Sequence, residues 1–376
     1  MHAVLRSGAT VLACLMLASA QALAGPPDID ALALSLGRAF VANPAHVGLS
    51  IGVTSNGARH SYHFGSIDRQ RPALPTGRTI HELASLTKTY TGMLLARAVI
   101  DGKLALGDDV RRYLPAGFAN LAFEDQPIRI VDLASHTSGL PKNLPPFPAG
   151  LAPDQLVKQY GILSRTAFLQ ALAEVRLGAR PGTVFAYSNA GTQLVGLVLE
   201  QVYGMSYDAL VQRMIAQPLA MVDTGMAVLP QDATRTARRY DGTGAPMPAL
   251  AFWRDVPAAG FLKSTINDQL RYLEWNLDAS DPVVALAHRV TFGHTSERGD
   301  DIALFWFVHH ASDGRRVVRH AGGSFGSTSF ALLVPDTGTG IVLLANDAGA
   351  STEGALAGMA DQLAAALASG RSRRRP

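Results

Sequence analysis

Ser85 and Lys88 stand three residues apart in the stretch Ala84-Ser85-Leu86-Thr87-Lys88, at the head of a long apolar helix pattern. On a helix that spacing puts both side chains on one face, within reach of each other. Ser85 then occupies the first turn, where unpaired backbone N–H groups and the helix dipole favour developing negative charge. A serine hydroxyl attacks poorly until a neighbouring base takes its proton. A lysine serves as that base once burial and nearby positive potential lower its pKa. The pair therefore points to acyl transfer through a serine nucleophile. By itself it is a weak signal: one Ser-x-x-Lys is expected on the order of once by chance in a chain of this length. A serine before a helix is usually only a cap.

The elements around this pair follow from spacing and turn signals. Asp28 to Phe40 reads as a helix with Asp28 as cap and Leu32, Leu36 and Phe40 on one face. Val47 to Thr54 alternates, Asn56-Gly57 follows, and His60 to Phe64 completes a hairpin. The Ser85 helix runs to about Ile100 and ends at Asp101-Gly102. Ile130 to Ser135 is a short helix, and a turn-rich loop from His136 to Pro141 leads into the proline-rich stretch Asn143 to Pro148. Helical spacing covers Asp154–Tyr160, Ser164–Val175, Asn189–Tyr203, Tyr207–Ala216 and Thr265–Leu277, with Ser164 and Ser206 as caps. The last third turns β-rich, with runs at Ile302–His309, Val317–His320, Ser327–Val334 and Gly340–Asn346, before a final helix over about Glu353 to Leu367.

The simplest assembly is an α+β fold, an α/β sandwich. One antiparallel sheet is built from both chain ends and flanked by helices, beside an all-helical region. The expected division is an α/β region over 25–82 and 255–370, a mainly helical region over 83–254, and a basic tail over 371–376. Ligand sites favour such an interface between two regions.

The 376 residues are enough for one large or two ordinary domains. Apolar residues make up 48% and charged residues 17%, which fits a soluble enzyme and argues against disorder. Arg6, the apolar run Ala9 to Ala18 and Ala22-Leu23-Ala24 form an export signal, with cleavage expected before Gly25 and a periplasmic or secreted destination. Cys14 is the single cysteine and leaves with that signal. The mature chain then has no disulfide, cysteine nucleophile or cysteine metal site. The net charge of +3 includes Arg6 and the tail arginines Arg371, Arg373, Arg374 and Arg375, so the body is close to neutral. The tail suits an anionic surface or a frayed, solvated end. Nothing points to nucleic acid, to an obligate partner or to a membrane-spanning stretch.

Further motifs follow in a fixed order. Tyr187-Ser188-Asn189 comes second, and His320-Ala321-Gly322 third. Between and around them lie His136-Thr137-Ser138-Gly139-Leu140-Pro141, Pro218-Leu219-Ala220-Met221 and Gly260-Phe261-Leu262-Lys263-Ser264-Thr265. Together with Ser85-Leu86-Thr87-Lys88 these resemble the serine β-lactamase and penicillin-binding superfamily, especially the class C β-lactamase branch with its DD-peptidases and esterases. The resemblance covers nearly the whole chain after the signal. It implies a β-lactamase/transpeptidase-like fold, with Ser85 as nucleophile and Lys88 and Tyr187 sharing the proton transfers.

The resemblance places Asn189, His320, Gly322, Gly323 and Asn143 at the substrate, with the N–H groups of Ser85 and Gly323 as oxyanion hole. Each residue also has a plainer reading. Tyr187 suits a buried aromatic with its hydroxyl satisfied, Asn189 a helix cap, and His320 an edge-strand histidine. If functional, His320 would hydrogen-bond a substrate carboxylate or tune Lys88 and Tyr187. Gly322 and Gly323 would let substrate approach the backbone. Histidine in place of the family's usual lysine makes a weaker carboxylate anchor. His309-His310 and Asp313 do not suggest a shared metal ion, because adjacent strand residues point to opposite faces.

The expected function is an exported serine hydrolase working through an acyl-enzyme, without cofactor or metal. Its substrate would be a small molecule or peptide. A D-alanyl-D-alanine carboxypeptidase or endopeptidase of the cell wall that binds penicillin comes first. A class C-type β-lactamase, a broad carboxylesterase or a D-aminopeptidase stands beside it. A catalytically inactive relative that only binds wall peptides is the alternative of a different class.

Overall fold

The computed structural model describes residues 28–372 apart from 149, 153–154, 156, 160–162, 249–254, 294–298 and 312. The expected export signal and the last four residues of the tail lie outside the described residues. Part of the helix expected over 154–160 does too.

Helix α1 (Ile29–Ala42) is capped by Asp28, whose side chain accepts from the Asp30 N–H at 3.0 Å. Its most buried residues are Ala33, Gly37 and Phe40, whereas Leu32 and Leu36 are half-buried. The buried stripe is thus centred one position beyond the expected one. Small residues let α1 settle on the ring of Phe64. Strands β1 (Gly48–Ser55) and β2 (Ala58–Gly65) form the expected hairpin. Asn56 and Gly57 both have positive φ, as a tight two-residue turn requires.

The short β3 (His81–Glu82) precedes α2 (Thr87–Ile100). A small hairpin, β4 (Ala122–Phe123) and β5 (Gln126–Pro127), leads to α3 (Ile130–Ala134). Helices α4 (Arg165–Glu174), α5 (Asn189–Tyr203) and α6 (Tyr207–Val211) follow, the last continuing as a π turn to Ala216. Next come β6 (Lys263–Ser264), α7 (Ile266–Asn276) and α8 (Pro282–Ala287). The chain then returns to strands β7 (Asp301–Ile302), β8 (Phe307–His310), β9 (Arg316–Gly323), β10 (Thr328–Val334) and β11 (Thr339–Ala345). Helix α9 (Ala350–Ser372) closes it, longer at both ends than expected.

Seven strands make one antiparallel sheet in the order β2-β1-β11-β10-β9-β8-β7, so both ends of the chain build it. The middle strands are buried on both faces, and their alternation sorts two cores. Phe330, Leu332, Ile341 and Leu343 face α1 and α9. Ala331, Leu333, Val342 and Leu344 face the helical side with α2, α5 and α7. Helix α2 is buried on nearly every side from Thr87 to Ala98, which explains its apolar run.

The run expected as one strand over Ile302–His309 is two strands. Ala303 to Trp306 dip into the helical-side core, Leu304 N–H donates to Ala287 O, and Phe305 N–H donates to Ala134 O. Phe305 takes positive φ to make the turn. An apolar run buried by a turn has the same composition as one buried in a strand, so the pattern alone does not separate them.

Candidate active site

Ser85 lies in a single 3₁₀ turn, Ala84–Leu86, that leads into α2. The turn is entered through Ala84 at φ +47°, a conformation that costs a non-glycine residue about 1–3 kcal/mol and persists only where its surroundings enforce it. Those surroundings are specific. The Leu83 N–H donates to Leu262 O at 2.9 Å, and the Leu83 carbonyl accepts from the Ser329 hydroxyl at 2.7 Å. Thr87 Oγ1 accepts the Leu262 N–H at 3.2 Å. The turn is therefore clamped between strand β10 and the segment 257–262.

Lys88, one turn on, is fully buried. Its Nζ stands 3.1 Å from Ser85 Oγ and donates to the Ala259 carbonyl at 2.6 Å. The same Nζ lies 4.9 Å from the centroid of the Tyr187 ring. Burial pushes the Lys88 amine well below the ordinary lysine range, and the nearby Lys142 ammonium pushes it further. The neutral amine can thus hold one N–H on Ala259 and turn its lone pair to the Ser85 hydroxyl. Once protonated it would lie against a carbonyl oxygen and an aromatic face, both of which favour a cation.

Tyr187 reaches this point because Ser188 caps α5. The Ser188 hydroxyl accepts from the Gly191 N–H and donates to Pro141 O at 2.7 Å. The ring of Tyr187 packs on that of His136, centroids 4.5 Å apart. Asn189, next on α5, donates through Nδ2 to Asn143 Oδ1 at 2.8 Å. Asn143 therefore meets the side-chain amide of Asn189, and the two form one unit. Asn189 is the first helical residue and not the cap, a role that Ser188 fills.

His320 sits on β9 at 2% exposure. Its Nδ1–H donates to the Ala321 carbonyl at 2.6 Å, and its Nε2 is buried without a hydrogen-bond partner among the described residues. Burial, reinforced by charge repulsion when Lys88 is protonated, pulls its pKa down to about 3. His320 is thus neutral, and its free nitrogen is an acceptor. In this form the ring has no donor left for a substrate carboxylate. Tuning of Lys88 and Tyr187 remains open to it.

His136, expected only as a loop landmark, is the residue the sequence undervalued. It is buried, its Nδ1 accepts the Ser188 N–H at 3.2 Å, and burial holds it well below its ordinary pKa. The two glycines differ. The bare Cα of Gly322 is taken up by Leu83 and Leu86 within the protein, while Gly323 faces open space. Only the second leaves room for substrate, so the expectation for Gly322 is corrected.

Ser85, Tyr187, Asn189, His320 and Gly323 line one cleft of about 400 Å³. An adjoining arm of about 210 Å³ shares Ser85, Asn189 and Gly323 and is walled by Ala259, Gly260 and Phe261. Strand β8 pairs only with residues 316–319 of β9, so residues 320–323 pair with β10 alone among the described strands. His309 and His310 meet different carboxylates, Asp300 at 3.1 Å and Asp301 at 3.5 Å, and do not converge.

The chain is similar to known proteins in sequence and in fold. The family model described as Beta-lactamase matches residues 36–366. Protein flp of Staphylococcus aureus strain N315 is 28% identical over 310 residues, spanning 80% of this chain and 59% of that protein. A beta-lactamase of Providencia stuartii is 29% identical over 232 residues, spanning 62% of this chain and 56% of that one. The chain thus spans less than two thirds of the length of these curated relatives. Among solved structures, a beta-lactamase/D-alanine carboxypeptidase from Yersinia pestis superposes with TM-score 0.78 at 22% identity, over 90% of this chain and 98% of that one. A class C beta-lactamase superposes with TM-score 0.75 at 21% identity, over 91% and 96%.

Proposed function

Because the chain belongs to the beta-lactamase family, we propose that it is an exported serine hydrolase acting through an acyl-enzyme on cell-wall peptides that end in D-alanyl-D-alanine. Penicillins act on it as slow acylating mimics. The Ser85 hydroxyl attacks the acyl carbonyl, and its proton passes to the Lys88–Tyr187 pair. The tetrahedral oxyanion rests on the N–H groups of Ser85 and Gly323. The departing amine takes a proton from the same pair, and water then hydrolyses the serine ester with the pair as base. Asn189, steadied by Asn143, offers a donor and an acceptor to the substrate amide.

The observation that carries this reading is the 3.1 Å approach of Lys88 Nζ to Ser85 Oγ, with the amine buried and its pKa lowered. Neither a cap nor a surface lysine would need that burial. One observation favours a broad carboxylesterase as second reading: neutral His320 gives no charge to a leaving-group carboxylate. Mass spectrometry after incubation with penicillins, esters and D-alanyl-D-alanine peptides separates the readings. The expected result is a penicilloyl adduct on Ser85, absent in Ser85→Ala. Rapid ester turnover with no penicilloyl adduct would favour the esterase, and no adduct with any substrate would favour an inactive binding relative. Export rests on the sequence of residues 1–24, and the secreted protein should begin at Gly25 on N-terminal sequencing.

A further inference from the structure

Lys88, His136 and His320 are buried with lowered pKa values, so none of them offers a substrate fixed positive charge. Two other cations line the cleft, Lys142 and Arg319. Arg319 gives Nη2 to both oxygens of Asp300, at 3.0 and 2.9 Å, and Asp300 is 2% exposed. Its charge is neutralised by that buried carboxylate. It also neighbours His320 on β9 and so faces the opposite side of the sheet.

Lys142 is different. Its side chain is exposed, and its ammonium meets no hydrogen-bonding or ionic partner among the described residues. Its backbone is fixed. The Lys142 carbonyl accepts from the N–H groups of Asn189 and Ala190 at 2.8 and 3.2 Å, and its neighbours Pro141 and Asn143 are bonded to Ser188 and Asn189. The root of the side chain is thus riveted to the segment that carries Tyr187, while its charged end stays available.

The cleft also fixes which half of a substrate would meet it. Ser85 and Asn189 belong to both arms, but Tyr187 and Lys142 line one arm only, and Ala259 and Phe261 line the other. A group that protonates the departing atom must stand beside it. The leaving group therefore occupies the arm of Tyr187, which is the arm of Lys142.

We propose that Lys142 is the carboxylate anchor for the leaving group: its ammonium pairs with a carboxylate carried on the departing portion of the substrate, as on a departing C-terminal amino acid. This rests on the acyl-enzyme reading above and assigns the anchoring charge to the loop after Gly139-Leu140-Pro141 instead of the third motif. It has a chemical consequence. The Lys142 charge helps to hold the Lys88 amine low, so a carboxylate arriving on Lys142 screens that charge and makes Lys88 a stronger base when substrate is in place.

The test uses two thioesters with the same acyl group, one with a carboxylate on the leaving thiol and one with the matching carboxamide. For the purified protein at low salt, kcat/KM should favour the carboxylate by about tenfold or more, the range of a charge-assisted hydrogen bond. The preference should shrink as salt is raised. In Lys142→Gln the ratio should fall to within about twofold, because any change in Lys88 is common to both substrates. Equal turnover of the two thioesters by the wild type overturns the anchor alone, as does a preference that persists in Lys142→Gln. Failure to cleave either thioester, with no acyl adduct on Ser85, overturns the acyl-enzyme reading and the anchor with it.

Discussion

Lys88 Nζ lies 2.6 Å from the carbonyl oxygen of Ala259, and this bond decides which way the amine faces. With one N–H held there, the lone pair is free to take the Ser85 proton at 3.1 Å. Neither contact needs the lysine to be charged, and burial favours the neutral form. Lys88→Met keeps the length and removes the base. Acylation by a penicillin or an activated ester should slow by about 10²–10⁴-fold, the usual share of a positioned base. The melting temperature should hold or rise, because a buried amine is replaced by an apolar chain. A stable variant that still acylates at the wild-type rate would remove Lys88 from the chemistry.

Tyr187 allows a cleaner separation of packing from proton transfer. Its ring packs on His136 and under the Lys88 amine, and a phenyl ring retains both contacts. Tyr187→Phe should therefore change stability by less than about 1 kcal/mol. Its effect should depend on the leaving group. A nitrophenyl ester departs without needing a proton, whereas a peptide amine does not. The loss in acylation rate should be much greater for the amide than for the ester. Equal losses for the two would mean that Tyr187 acts only on the attacking hydroxyl.

Gly322 and Gly323 are adjacent and have opposite surroundings. A Cβ on Gly322 would stand 2.4 Å from both Leu83 O and Ser329 Oγ and 2.9 Å from Leu86 N, all parts of the clamp around Ser85. Gly322→Ala should destabilise the protein by about 1–3 kcal/mol and slow acylation, since the turn must shift to admit the methyl group. A Cβ on Gly323 meets nothing within 4 Å. Gly323→Ala should leave the urea midpoint in place and alter only the affinity for bulky substrates. Equal melting temperatures for the two variants would contradict the geometry.

The contrast between these glycines shows what the sequence could and could not disclose. The nearness of Ser85, Lys88 and Tyr187 was legible because residue type and motif order single them out, and the structure brings them together. The Asn56-Gly57 hairpin was legible because few residue pairs take positive φ twice in succession. The Ala259 carbonyl was not, because a backbone acceptor leaves no mark on side-chain identity. Lys142 belongs to none of the motifs, and the pairing of Arg319 with Asp300 is what singles it out. His320 was visible as a residue, but its role depends on burial and on a bond to Ala321 that no spacing encodes. The same limit applied to Ala303–Trp306, where a run that reads as strand is buried by a turn.

Burial of neutral histidines extends beyond the cleft and has a consequence for acid stability. Desolvation holds His81, His288 and His320 at about 3 and keeps His136 well below its ordinary value. Between pH 6.5 and the lowered native values the unfolded chain binds protons that the folded chain refuses. Stability is therefore full above about pH 6.5 and falls as pH drops from there toward 3, by about 1.4 kcal/mol per pH unit for each such histidine. His81 tests this without touching the proposed site, since both of its ring nitrogens are buried without hydrogen-bond partners among the described residues. His81→Leu removes one refused proton and two unsatisfied polar atoms. Urea unfolding followed from pH 7.5 to pH 5 should show a higher stability for the variant throughout and a slope shallower by about one proton. If the two slopes coincide, His81 is protonated in the folded protein and the burial argument fails at that residue.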